Sequence, residues 1–205
     1  FQMMVDAGRM RIMEILSDAT NTIAEGEVMQ LLNCHDPETT EQRYLDVIHC
    51  KTAKLFEAAA QLGAVLCDAT PEQEQAMANF GMHLGTAFQL VDDVLDYSSS
   101  PDEMGKNVGD DFRERKLTLP VIKAVAKATP EERAFWMRVI DKGDQHEGDL
   151  EHAMALLAKH GTMEATRVDA IAWADKAKTS LDVIPDHPLK TMLVDLADYV
   201  VARIT

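Results

Sequence analysis

Three carboxylates, Asp92, Asp93 and Asp96, stand together in the segment Phe88-Gln89-Leu90-Val91-Asp92-Asp93-Val94-Leu95-Asp96. Four residues apart, Asp92 and Asp96 share one face of a helix, and Asp93 sits about 100° around it. Like charges at that spacing repel. A place near a helix C-terminus adds an unfavourable dipole. A bound cation offsets both terms. Oxygen ligands select Mg²⁺ or Ca²⁺, and a small set on one face suits Mg²⁺, which keeps waters and takes its other ligands from phosphates. The competing reading is a solvated acidic face. The apolar neighbours Phe88, Leu90, Val91, Val94 and Leu95 argue instead for a largely buried helix.

The next segment, Gly105-Lys106-Asn107-Val108-Gly109-Asp110-Asp111, is followed by Arg113, Arg115 and Lys116 and then Leu117-Thr118-Leu119-Pro120. Glycine lets backbone approach an anion, and lysine brings a point charge. Carboxylates, then glycine, then lysine, within a short stretch, match the needs of a metal-bridged diphosphate. A solvated loop of mixed charge is the plain alternative.

Helices must position these groups. Good helix formers dominate, and the prolines fall at junctions. Thr70-Pro71-Glu72-Gln73 and Thr129-Pro130-Glu131-Glu132 both read as capping boxes, and Thr39-Thr40-Glu41-Gln42 as a third helix start. Gly143, Gly148 and Gly161 mark later turns. Helices are expected near 1–32, 39–68, 71–97, 118–128, 130–142, 147–159, 161–182 and 187–203, with one irregular stretch at 98–117. No run alternates like a strand, so the fold class is all-α, a helical bundle forming a single domain over 1–205.

Composition narrows the chemistry. The chain has 35 acidic and 20 basic residues, a net charge of -15, which argues against nucleic acid and anionic lipid as partners. Cys34, Cys50 and Cys67 are odd in number and show no paired spacing, as in a reducing, cytoplasmic compartment. No apolar run is long enough for a transmembrane helix. The histidines show no ligand spacing, and Trp136 and Trp173 read as core or dimer contacts. The apolar pattern is already running at Phe1-Gln2-Met3-Met4, with no capping residue ahead of it. This reads as a helix cut in its middle, with an N-terminal portion missing; a processed N-terminus is the alternative.

The string FQLVDDVLDYSSSPDEMGKNVGDDFRERKLTLP resembles the second aspartate-rich region of the trans-prenyl diphosphate synthases, and is most like the long-chain, octaprenyl-type members. Glu25-Gly26-Glu27 with Gln30, and Lys51-Thr52-Ala53 with Leu55-Phe56, match two further stretches of that family. The resemblance extends over most of the chain and is weakest after residue 125. It implies an isoprenoid-synthase-type bundle, here its C-terminal two-thirds. It implies condensation of isopentenyl diphosphate with an allylic diphosphate, Mg²⁺ as cofactor, a homodimer, and a polyprenyl product for quinone synthesis.

Residue by residue, the resemblance implies Asp92 and Asp96 as Mg²⁺ ligands, with Asp93 and Asp110 as partners of metal-bound water or lysine. It implies diphosphate contacts from Lys51, Lys106 and Lys116, and cation-stabilising oxygens on Thr52 and Gln89. Within the stripe Met3, Met4, Met10, Met13 and Leu16, ordinary core packing competes with a product-tunnel wall at Met4 and Leu16. Two positions depart from the pattern. Arg115 stands where the family has glycine, and Leu117 where it often has proline. The first is expected to stiffen the loop or alter its path around Lys116.

The family's first DD-x-x-D motif is absent from these 205 residues, so taken alone they are expected to bind diphosphate at most. A non-catalytic subunit of a heteromeric synthase is the competing function; the retained Lys51, Asp92 and Lys106 oppose it. A terpene cyclase of the same fold is a third reading, opposed by the type of aspartate motif.

Overall fold

The computed structural model describes residues 2–98 and 108–204. It is an all-α bundle, with no strand among the described residues. In chain order the helices are α1 (Gln2–Asp6), α2 (Met10–Asn33), α3 (Glu41–Ile48), α4 (Lys54–Leu66), α5 (Pro71–Ser98), α6 (Asp110–Arg113), α7 (Leu119–Lys127), α8 (Pro130–Trp136), α9 (Asp149–Lys159), α10 (Thr162–Ser180) and α11 (Pro188–Ala202). Two π-helical turns interrupt the pattern: His49–Ala53 links α3 to α4, and Met137–Asp141 follows α8.

Several expectations needed correction. The first helix is two pieces, because Gly8 takes a left-handed φ of 65° and ends α1 after Asp6. The long segment expected at 39–68 contains the π-helical turn. The irregular stretch after α5 contains the short helix α6. The helix starts were placed correctly. Thr129 forms a capping box with Glu132. Thr70 and Gln73 exchange the two reciprocal bonds of another. The Thr40 hydroxyl accepts from the Arg43 N–H.

Helix α5 is the axis of the bundle and packs most extensively on α10 and α4. Its Leu84, Ala87, Leu90, Val91 and Val94 are buried with Tyr44, Leu119, Ala174 and Val200 in the principal core. A second core gathers Trp136, Val139, Ile140, Phe112 and Leu157 beneath α7, α8 and α9. Burying a large aliphatic side chain is worth about 1.5–3 kcal/mol, so α5 is anchored all round. That anchoring allows it to carry charged groups near its end.

Close backbone approach sets the position of the first π-helical turn. A Cβ on Gly26 of α2 would lie 2.7 Å from the Lys51 nitrogen. One on Gly85 of α5 would lie 2.7 Å from the Ala53 Cα. The turn is held between two helices at a separation that only glycine permits on either side.

Candidate active site

Lys51, Thr52, Gln89, Asp92, Asp93 and Lys116 line a single cavity of about 250 Å³, together with Tyr44, Asp111, Gln30 and Thr39. Residues from α2, α3, the π-helical turn, α5 and the segment before α7 therefore converge on one space. Lys106 lies outside the described residues. Asp96 is half-buried and does not line the cavity. Met4 and Leu16, also half-buried, lie on either side of the break at Gly8 and do not line it either.

The π-helical turn presents two of these groups. Such turns insert a residue into the helical repeat and often occur at functional sites. Lys51 is held by the motif on α2: its ammonium donates to Gln30 Oε1 at 2.6 Å and lies 3.3 Å from Glu27 Oε1. The Thr52 hydroxyl donates to Gln89 Oε1 at 3.0 Å.

Asp93 differs from Asp92 and Asp96 in its surroundings. It is 1% exposed, and both its oxygens are engaged by protein donors. Oδ2 accepts from the Tyr44 hydroxyl at 2.5 Å and from the Leu119 N–H at 3.1 Å. Oδ1 accepts from Gln89 Nε2 at 3.0 Å. Burial pushes the Asp93 carboxyl up to about 7 against the pull of these donors. Burial, reinforced by the Asp93 charge, raises the Tyr44 hydroxyl well above its ordinary value, so it keeps the proton it donates.

Asp96 meets the start of α6, where its Oδ2 accepts from the Asp111 N–H at 3.3 Å. Burial, then the charge of Asp111, pushes Asp96 up to about 6. Lys116 Nζ lies 3.2 Å from Asp111 Oδ1 and 2.7 Å from Glu114 Oε2. Burial alone would lower its pKa, but the bond to Glu114 and the charge of Asp111 hold it above the ordinary lysine value. Arg115 adopts a left-handed φ of 58°. Arg115 thus takes the left-handed conformation that glycine favours. Lys116 remains on the cavity wall. Among the described residues no three His, Cys, Asp or Glu side chains form a ready metal cage.

Residues 1–157 match the family model for polyprenyl synthetase. The chain belongs to the polyprenyl synthetase family. The octaprenyl diphosphate synthase of Escherichia coli is 45% identical over 203 residues, a span covering 99% of this chain and 62% of that relative. Among solved structures, a decaprenyl diphosphate synthase from Rhodobacter capsulatus superposes with a TM-score of 0.95 at 60% identity, covering 100% of this chain and 63% of that one. A polyprenyl synthase from Caulobacter crescentus, complexed with calcium and isoprenyl diphosphate, superposes with a TM-score of 0.94 at 42% identity, covering 100% and 62%. The fold is therefore the all-α bundle of these polyprenyl synthases. The chain spans a little under two-thirds of the length of the relatives it matches. No described helix is long and apolar enough to cross a membrane.

Sequence reasoning missed Tyr44 and the π-helical turn. Tyr44 precedes Lys51 by seven residues, a spacing that returns to the same face after two helical turns. That periodicity was the available signal. The turn itself has no local signature in His49-Cys50-Lys51-Thr52-Ala53.

Proposed function

We propose that the protein is a trans-prenyltransferase that condenses isopentenyl diphosphate with an allylic diphosphate and builds a long-chain polyprenyl diphosphate for a quinone side chain. The observation carrying this reading is the shared cavity, where two lysines, carboxylates and two neutral side-chain oxygens converge. In it, Lys51 and Lys116 hold the departing diphosphate by charge; the family resemblance implies a further diphosphate contact from Lys106. Thr52 and Gln89 present oxygen lone pairs to the carbon that becomes positive as its bond to diphosphate breaks. The alkene of isopentenyl diphosphate attacks that carbon, and loss of a proton completes the five-carbon extension. Apolar helices keep water from the cation.

Mg²⁺ is the cofactor in this reading. The donor set fits it: Asp92 and Asp96 offer carboxylate oxygens, and an ion that completes its shell with water and phosphate needs few of them. Asp92 and Asp96 would hold it, and when bound it supplies positive charge to the diphosphate. A homodimer working in the cytoplasm belongs to the same reading.

The test is incubation of the whole protein with labelled isopentenyl diphosphate, farnesyl diphosphate and Mg²⁺, followed by separation of products by chain length. The expected product is longer than geranylgeranyl diphosphate. No incorporation, or products stopping at geranylgeranyl, would overturn the proposal.

A further inference from the structure

Ionised, the Asp93 carboxylate can only accept hydrogen bonds, and the three protein donors Tyr44, Gln89 and Leu119 favour that form. Asp93 Oδ1 therefore receives the amide nitrogen of Gln89, and a flipped amide would set oxygen against oxygen. The Gln89 carbonyl is forced to the opposite side, where it accepts from the Thr52 hydroxyl. With its proton committed to Gln89, Thr52 Oγ1 keeps its lone pairs. Both oxygens belong to residues on the cavity wall. Their acceptor character suits an electron-poor carbon and is imposed from behind by Asp93.

The same carboxylate ties three elements together. Tyr44 reaches it from α3, Gln89 from the preceding turn of α5, and the Leu119 N–H from the first residue of α7. Leu119 follows Lys116 by three residues, so its bond also fastens the lysine-bearing segment to α5. Asp93 is buried, and Tyr44 is a donor that stays protonated. Tyr44 is 6% exposed and lies in the principal core, so its hydroxyl needs a partner there, and Asp93 supplies it.

We propose that Asp93 is a positioning group and not a metal ligand. It turns the Gln89 amide and the Thr52 hydroxyl toward the allylic carbon, and Tyr44 is the positioning residue that fixes Asp93 for this task. The inference rests on the prenyl-transfer reading above.

The experiment uses the whole protein and two measurements. The first is Mg²⁺-dependent binding of farnesyl thiolodiphosphate, an unreactive allylic diphosphate. The second is single-turnover condensation with isopentenyl diphosphate. Tyr44→Phe should slow condensation by about tenfold or more, as expected for loss of one buried hydrogen bond to a charged group, while the analogue binds as in wild type. Asp93→Asn should likewise keep Mg²⁺-dependent binding, whereas Asp92→Asn loses it. Thermal midpoints identify any variant that fails to fold; if Tyr44→Phe does, Asp93→Asn alone decides. Wild-type condensation rates from a folded Tyr44→Phe, or loss of Mg²⁺ dependence in a folded Asp93→Asn, would overturn the proposal. A wild-type protein that makes no product would instead overturn the prenyl-transfer reading.

Discussion

Asp96 sits under two opposing demands. It accepts the Asp111 N–H, yet burial and the neighbouring charge of Asp111 raise its carboxyl from 3.8 to about 6. An acid raised in the fold contributes stability that is fully present below its unfolded pKa and is lost as pH rises through the folded one. Without divalent cation, the thermal midpoint contribution of Asp96 should therefore decline between about pH 4 and pH 7. Asp96→Asn should flatten that decline, measured as the wild-type-minus-variant difference across pH. His49 and His83, which burial holds below the ordinary histidine value, act in the opposite direction on acidification. They are common to both proteins and cancel in the difference. A difference independent of pH would show that Asp96 ionises normally.

Arg115 makes a second point at this scale. Its φ of 58° belongs to a glycine, and its guanidinium lies over Gly143, where a Cβ would come within 2.5 Å of Nη1. Left-handed backbone costs an ordinary residue roughly 1–2 kcal/mol. Arg115→Gly should relieve about 1 kcal/mol of this in denaturant unfolding, less whatever packing the guanidinium supplies. Gly143→Ala, at a φ of 66°, should destabilise by a similar amount, roughly 1 kcal/mol.

Among the elements, the first π-helical turn depends on its neighbours. Gly85→Ala would press a methyl to 2.7 Å from the Ala53 Cα, a backbone atom that cannot swing aside. Overpacking of this kind costs about 1–3 kcal/mol. The gain in helix propensity from replacing glycine is at most about 1 kcal/mol. Net destabilisation in denaturant unfolding is the expected result, with condensation impaired because Thr52 precedes the displaced residue. Gly63, on α4, has nothing within 4 Å of its Cβ position. There Gly63→Ala should stabilise by about 0.5–1 kcal/mol. Equal effects at both sites would show that the close approach is not what matters.

Legibility in the sequence follows the same division. Helix starts at Thr40, Thr70 and Thr129 were readable because capping is a contact between residues three apart. The burial of α5 was readable from Leu90, Val91 and Val94. The Tyr44–Asp93 bond was not, because its partners are 49 residues apart and nothing local announces it. The aspartate cluster looked uniform in sequence. Only the packing of α3 and α7 separated Asp93, buried and enclosed by donors, from the half-buried Asp92.

At the scale of the molecule, the apolar stripe at the start of the chain is divided by Gly8. Met3 and Met10 are exposed, while Met4 and Leu16 are half-buried. If the half-buried pair forms a tunnel wall, shortening either side chain in the whole protein should lengthen the product. The measurement is product length for Met4→Ala and Leu16→Ala; unchanged length in both removes these residues from the tunnel. The all-α class was legible from composition and pattern together. The gathering of five segments around one cavity was not, since it arises from the packing of α2 on α4 and the π-helical turn, and of α4 and α10 on α5.

The turn His49–Ala53 also constrains chain length. A π-helical turn holds one residue more than the α-helical path it replaces. Deleting any one of those five residues would let α3 run straight into α4 as continuous α-helix. The flanking turns would keep their register, and the change would fall on the turn itself, moving Lys51 and Thr52 relative to Gln30 and Gln89. Phe56, whose backbone lies against Gly81, would stay against α5. The bundle can lose this residue and keep its packing; the cavity, which takes Lys51 and Thr52 from the widened turn, cannot.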